Sequence, residues 1–137
     1  MIFHRRKSRS SHQRKGTSTV ELAVCLPLLV LIVFGTLQAS SMFFLRQALV
    51  QSAYVTVREV VKTDGSQDIA LLRGQQTLQF RNVTGETFSF DPPNVEGLAP
   101  GTPVTVTVVA DGDTNTVLPF SVFSGRTVSA SATMNKE

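Results

Sequence analysis

Glu21 is the residue that most needs an explanation. It stands at the entrance of an apolar run, Leu22 to Leu45, that contains no Asp, Glu, Lys or Arg. A carboxylate in a membrane costs on the order of 2.5–3.5 kcal/mol at the bilayer centre and less near an edge. One reading leaves Glu21 at the interface, snorkelling or protonated, with no further role. The other gives it a cationic partner. Other groups offer little chemistry. Asp111, Asp113 and Asn115 in DGDTN stand at i, i+2, i+4, like the opening of a calcium loop. Thr116 and Val122 replace the Gly and Glu that such a loop needs at its sixth and twelfth positions, so a polar hairpin turn is the better reading. The histidines, His4 and His12, lie in the basic N-terminal arm, so no Ser-His-Asp arrangement exists in the outer region. The single cysteine, Cys25, excludes an intramolecular disulfide and a cysteine-based metal site. It is expected to behave as a small buried hydrophobe. No phosphate loop, catalytic dyad or internal repeat is present. The chain is therefore read as a non-enzyme without a cofactor or metal.

These residues are positioned by a strongly asymmetric chain. Of 137 residues, the first 16 carry Arg5, Arg6, Lys7, Arg9, Arg14 and Lys15 and no acid. Residues 17–137 hold seven Lys/Arg against ten Asp/Glu. The basic arm thus accounts for the basic pI of about 9.5. Only Phe3 interleaves with its cations, which disfavours a nucleic-acid surface. Cations before an apolar span instead hold that end in the cytoplasm and place the rest outside. As a helix, the 24-residue run Leu22 to Leu45 would reach about 36 Å, enough for a ~30 Å hydrocarbon core.

A cleaved signal peptide begins in the same way, and Leu37-Gln38-Ala39 offers a poor cut site. The apolar run continues past it, however. Leu45, Leu49, Ala53, Val57 and Val60 then mark one face of a helix. The pattern predicts one continuous helix from about Thr17 to about Lys62. Thr17, Ser18 or Thr19 would cap its start, Pro27 would bend it, and Asp64-Gly65 would stop it.

Beyond it the composition predicts a small mixed unit. SQDIALLRGQQTLQF reads as a short helix with Ile69, Leu72 and Gln76 at helical spacing and Ser66 as cap. ETFSF reads as a short strand and DPPNVEGLAPGTP as a loop. PVTVTVVA is the clearest strand, and RTVSASATM the last one, antiparallel to it. TVLPFSVFSG is ambiguous. Asn82-Val83-Thr84 matches a short glycosylation pattern that is common by chance. About 70 residues without a disulfide make a small core, so this unit needs the outer half of the long helix or neighbouring subunits.

The N-terminal stretch RKGTSTVELAVCLPLLVLIVFG resembles the prepilin-peptidase site of type IV pilin-like proteins. Lys15-Gly16 is followed by Thr17-Ser18-Thr19-Val20-Glu21. Val20-Glu21, Leu26-Pro27-Leu28-Leu29 and the ending VSASATMNKE are similar to the TadE-like pseudopilins of the tight-adherence (Tad) system. The resemblance implies cleavage after Gly16 on the cytoplasmic side by a membrane aspartyl peptidase. It also implies that Glu21 pairs with the new α-amino group of Thr17. The major Tad pilin usually has Tyr after this Glu and a much shorter body. Here Leu22 follows, which points to a minor pseudopilin.

The implied fold class is α+β: a long N-terminal transmembrane helix as in type IV pilin-like proteins, then a small extracytoplasmic domain with a short helix and an antiparallel β-sheet. The implied organisation is a leader, residues 1–16; a long helix, 17–62, with its span at about 22–45; and an outer domain, 63–137. Implied partners are prepilin peptidase, other Tad pilins and pseudopilins, the membrane assembly platform and membrane lipid, with no nucleic acid. The implied location is the cytoplasmic membrane, single pass, and the assembled pilus. An uncleaved, membrane-anchored binding module of the cell envelope is the alternative.

Overall fold

The computed structural model describes residues 12–116 and 125–137. Most of the ambiguous TVLPFSVFSG stretch lies outside them, as do Arg5, Arg6, Lys7 and Arg9. The elements are a long helix α1 (His12–Val60), a short helix α2 (Gln67–Gln79) and three strands, β1 (Thr87–Asp91), β2 (Pro103–Asp111) and β3 (Thr127–Asn135). The architecture is the α+β arrangement expected. The chain divides into two compact units at Thr36/Leu37.

α1 begins five residues before the expected start. His12 to Gly16 continue the helix backwards because Gln13, Arg14 and Lys15 are good helix formers. Thr17, Ser18 and Thr19 are therefore interior residues of the helix, not its caps. The helix assignment runs through Pro27. Pro27 has no N–H to give to the carbonyl four residues back. α1 ends at Val60, about two residues earlier than expected, and the chain turns through 61–64. Gly65 then passes so close to the helix end that a Cβ there would strike the carbonyl oxygens of Val60 and Glu59.

The outer unit is built on the second half of α1. The predicted face is the buried one: Leu45, Leu49, Ala53, Val57 and Val60 are all within 4% exposure. It belongs to the same core as the inward residues of β2, namely Val104, Val106, Val108 and Ala110. The sheet order is β1-β2-β3 with both pairings antiparallel. Phe88 and Phe90 of β1, and Val128, Ala130, Ala132 and Met134 of β3, pack against the same core. The opposite face carries Thr and Ser, with a hydroxyl pair Thr105–Thr133 at 2.8 Å. The period-2 alternation of these strands fixes their register, because a one-residue slip would put the polar face inside.

α2 packs by a different face from the one its large apolar residues mark. Ile69 and Leu72 are more than half exposed, whereas Ala70, Gly74 and Leu78 are buried. The reason is close approach. Ser52 Oγ of α1 donates to the Gly74 carbonyl at 2.9 Å, and Thr56 lies against the Gly74 Cα. A row of small residues is what lets two backbones come this near. Ser66 occupies the N-cap position, but its side chain makes no capping hydrogen bond. Asn82 adopts a left-handed conformation (φ 53°), and the Val83 N–H bonds the Leu78 carbonyl at 3.1 Å, closing α2. The Asn82-Val83-Thr84 stretch thus has a structural use.

DGDTN is a turn, as expected. Asn115 clasps Thr84 from both sides: it accepts from the Thr84 N–H at 2.9 Å and donates Nδ2–H to the Thr84 carbonyl at 2.9 Å. The same Nδ2 donates to the Asp111 carbonyl at 2.7 Å. Asp111 Oδ1 and Asp113 Oδ2 accept from backbone N–H groups of Asp113 and Gly125. The three side chains are therefore engaged in folding the turn. Among the described residues no cluster of three metal-ligating side chains forms.

Lys136 closes the outer unit. The residue is only 9% exposed, and its ammonium donates to the Val60 carbonyl at 3.0 Å and the Lys62 carbonyl at 2.6 Å. These are carbonyls at and just beyond the helix end, where an unpaired acceptor and the negative end of the helix dipole both favour a cation. The Glu137 N–H donates to the Val61 carbonyl at 2.9 Å. Lys62 in turn pairs through its side chain with Glu59 at 2.5 Å and holds that carboxyl below its ordinary range. A lowered folded pKa stabilises above the unfolded value and is lost as pH falls; at this exposed pair, solvent screening keeps the effect small.

Candidate processing and assembly segment

Gly16, Thr17, Glu21 and Pro27 all lie on α1, and Arg14 and Lys15 precede them on the same helix. Thr17 and Glu21 are four residues apart, so they occupy neighbouring positions on one face, one turn from each other. Glu21 is exposed, as is every residue from Gly16 to Leu37. Leu22, Val24 and Leu31 are 60–71% exposed. Such a stripe of aliphatic side chains cannot be explained by a core within the described chain. Cys25, expected to be buried, is exposed for the same reason.

The helical stretch Gly16–Val60 is long and apolar enough to cross a membrane. Its first half meets no protein core, and its second half is the centre of one. The change falls at Gln38, a polar residue only 2% exposed. A Cβ added at Gly16 would meet no atom within 4 Å. No packing requirement of the described chain therefore demands glycine at this position.

The sequence reading missed Lys136 and Asn115 as structural anchors and misplaced the buried face of α2. Asn115 carried a signal, since it sits in the DGDTN stretch already singled out. Lys136 carried none, because its acceptors lie more than seventy residues away in the chain.

No curated protein and no solved structure matches the chain. A family model does match, over residues 16–58, and it is described as TadE-like protein. The matched stretch starts at Gly16, contains Glu21 and Pro27, and extends to Arg58 near the end of α1. Residues 16–58 thus match the same family that the residues themselves resemble.

Proposed function

We propose that this protein is a minor pseudopilin of the TadE-like group, a structural subunit that helps assemble a Tad-type adhesive pilus or a related secretion filament. The observation that carries this reading is the coincidence of the TadE-like match with Gly16 and Glu21 at the head of an exposed apolar helix. Prepilin peptidase would cut between Gly16 and Thr17, leaving the basic leader in the cytoplasm and the outer unit outside. In the uncleaved chain this bond lies within a helix. Opening that turn is easiest at glycine, the weakest helix former after proline.

Cleavage would create an α-ammonium on Thr17. In a low-dielectric environment it needs a counter-charge, because an isolated buried ion is strongly disfavoured. Glu21 supplies one, from its own chain or from an axially shifted neighbour. A pair of this kind sets register between helices, as single buried polar groups do in coiled coils. Partners are then other pilin-like subunits, the membrane assembly platform and the surrounding lipid.

The test is the N-terminus and intact mass of the protein from its native membrane, beside a Gly16→Ala variant. Wild type is expected to start at Thr17, and the variant to remain largely uncut. Open space around Gly16 makes this substitution neutral for folding, so a change in the start reports on processing. An unprocessed start at Met1 in cells with active peptidase would overturn the reading in favour of a plain anchor. Glu21→Lys is expected to leave cleavage intact and to remove most of the assembled filament, measured as sheared surface protein.

A further inference from the structure

The three-stranded sheet has two open edges. β1 bounds one side and β3 the other. Each is antiparallel to β2, so β1 and β3 run parallel to one another. The backbone groups that point outward from them have no strand partner among the described residues. Edge strands are normally blunted by charge, proline or a bulge. β3, TVSASATMN, has no charge and no proline across nine residues, and its register with β2 is continuous.

The two flanks carry opposite chemistry. Beside β3, Arg46 and Val50 of α1 line a groove of about 270 Å³ with Thr107, Ser129, Ala130 and Ser131. Phe43, Val50 and Tyr54 extend it as an exposed apolar stripe. Arg126 stands exposed at the start of β3. Beside β1, the acids Glu86 and Asp91 bracket the stretch TFSF. α2, whose Gly74 lies against Phe88, leaves Ile69 and Leu72 exposed on that flank. Neither Arg46 nor the two acids make an ion pair among the described residues.

We infer that β3 of one copy receives β1 of a second copy in parallel, joining the sheets head to tail. Setting Thr127 opposite the second copy's Thr87 satisfies both faces at once. Val128 and Ala130 fall beside Phe88 and Phe90 on the core side. Ser129 falls beside Ser89 and Ser131 beside Asp91 on the polar side. Asp91 then enters the groove that Arg46 lines. The pairing rests on the membrane reading above for bringing copies together, and on the opposite charges of the two flanks for its sense. Two-fold pairing of β3 with itself would be antiparallel and would bring the two Arg46 flanks together. A head-to-tail contact leaves an open edge at each end, so it repeats.

The experiment uses the full chain in its native membrane, with Cys25→Ser as background and cysteines placed by Ser89→Cys and Ser129→Cys. Neighbouring strands lie about 4.8 Å apart, within disulfide reach. Oxidation is expected to give a ladder of dimers, trimers and larger species with the double variant, and none with either cysteine alone. Arg46→Glu should reduce the ladder about tenfold, as expected for loss and reversal of one close charge pair. Adding Asp91→Arg should restore it. Dimers from Ser129→Cys alone would overturn the inference in favour of two-fold pairing. A ladder indifferent to Arg46→Glu would also overturn it. No ladder from protein that starts at Thr17 would overturn the pairing and leave the pseudopilin reading standing. A ladder from protein that starts at Met1 would support the pairing and overturn the processing.

Discussion

Gly74→Val is expected to destabilise the outer unit by about 2–3 kcal/mol, the upper part of the usual range for overpacking. A side chain at this position would run into Thr56 Oγ1 and the Phe88 ring, whose Cε1 lies 2.7 Å from the Cβ site. Removing a glycine from a helix interior normally gains up to about 1 kcal/mol, and less when the replacement is β-branched. Steric conflict therefore wins at this position. Neither helix can retreat cheaply, because Ser52 is bonded to the carbonyl of Gly74 itself. The drop corresponds to roughly 10–20 °C in Tm for a unit of this size. It is measured by calorimetry on the full chain in detergent, with amide exchange along β2 as the local readout. An unchanged transition would mean that α2 does not dock through Gly74. Gly74→Ala in a Thr56→Ala background should recover much of the loss, since the nearest obstructing atom is then gone.

The second large effect is expected from Lys136→Met. Methionine keeps the apolar stem but leaves the Val60 carbonyl without its donor, while the Lys62 carbonyl keeps only the Gly65 N–H. Leaving a buried acceptor unpaired costs about 1–3 kcal/mol, and bonds from a charged donor are the stronger kind. Relief from burying an ammonium offsets part of this. A net loss of about 2 kcal/mol is expected, read as a roughly 30-fold rise in exchange of the Glu137 amide, whose bond to Val61 depends on the same closure. Exchange unchanged from wild type would show that the strand end is held without the ammonium.

The elements legible in the sequence were those with strict periodicity. β2 alternates Val and Thr, so both its existence and its inward face followed at once. The buried face of the second half of α1 was equally plain, because leucines, valines and an alanine recur at helical spacing. α2 was legible as a helix and illegible in orientation. Ile69 and Leu72 dominate any count of hydrophobicity, yet the face that docks is the one with least side chain. Hydrophobic patterning measures what would gain from burial, not how near two backbones must come. Glycine weakens a helix interior, yet Gly74 is the place where this helix touches its neighbour. The start of α1 was misread for another reason. The caps at Thr17 to Thr19 were expected because Thr and Ser favour helix starts, whereas the helix continues back through Gly16 to His12. The stretch that matches the family was the most legible part of the candidate site, because the basic residues, Gly16 and Glu21 are adjacent in sequence. Contacts across long separations, such as those of Asn115 and Lys136, left no local trace.

The closure by Lys136 also bears on how the chain is made. The carbonyl of Val60 waits for a donor 76 residues later in the sequence. A ribosome delivers residues in order, so α1 emerges complete but uncapped while α2, β1 and β2 follow. During that interval β2 has only one of its two neighbouring strands. Long-range closures of this kind slow folding, because the intervening loop must be ordered before any contact rewards it. The outer unit is thus expected to acquire its protection in a single late step rather than element by element. Nascent chains arrested before Lys136 should remain open to protease across β2, and release of a few more residues should shut it.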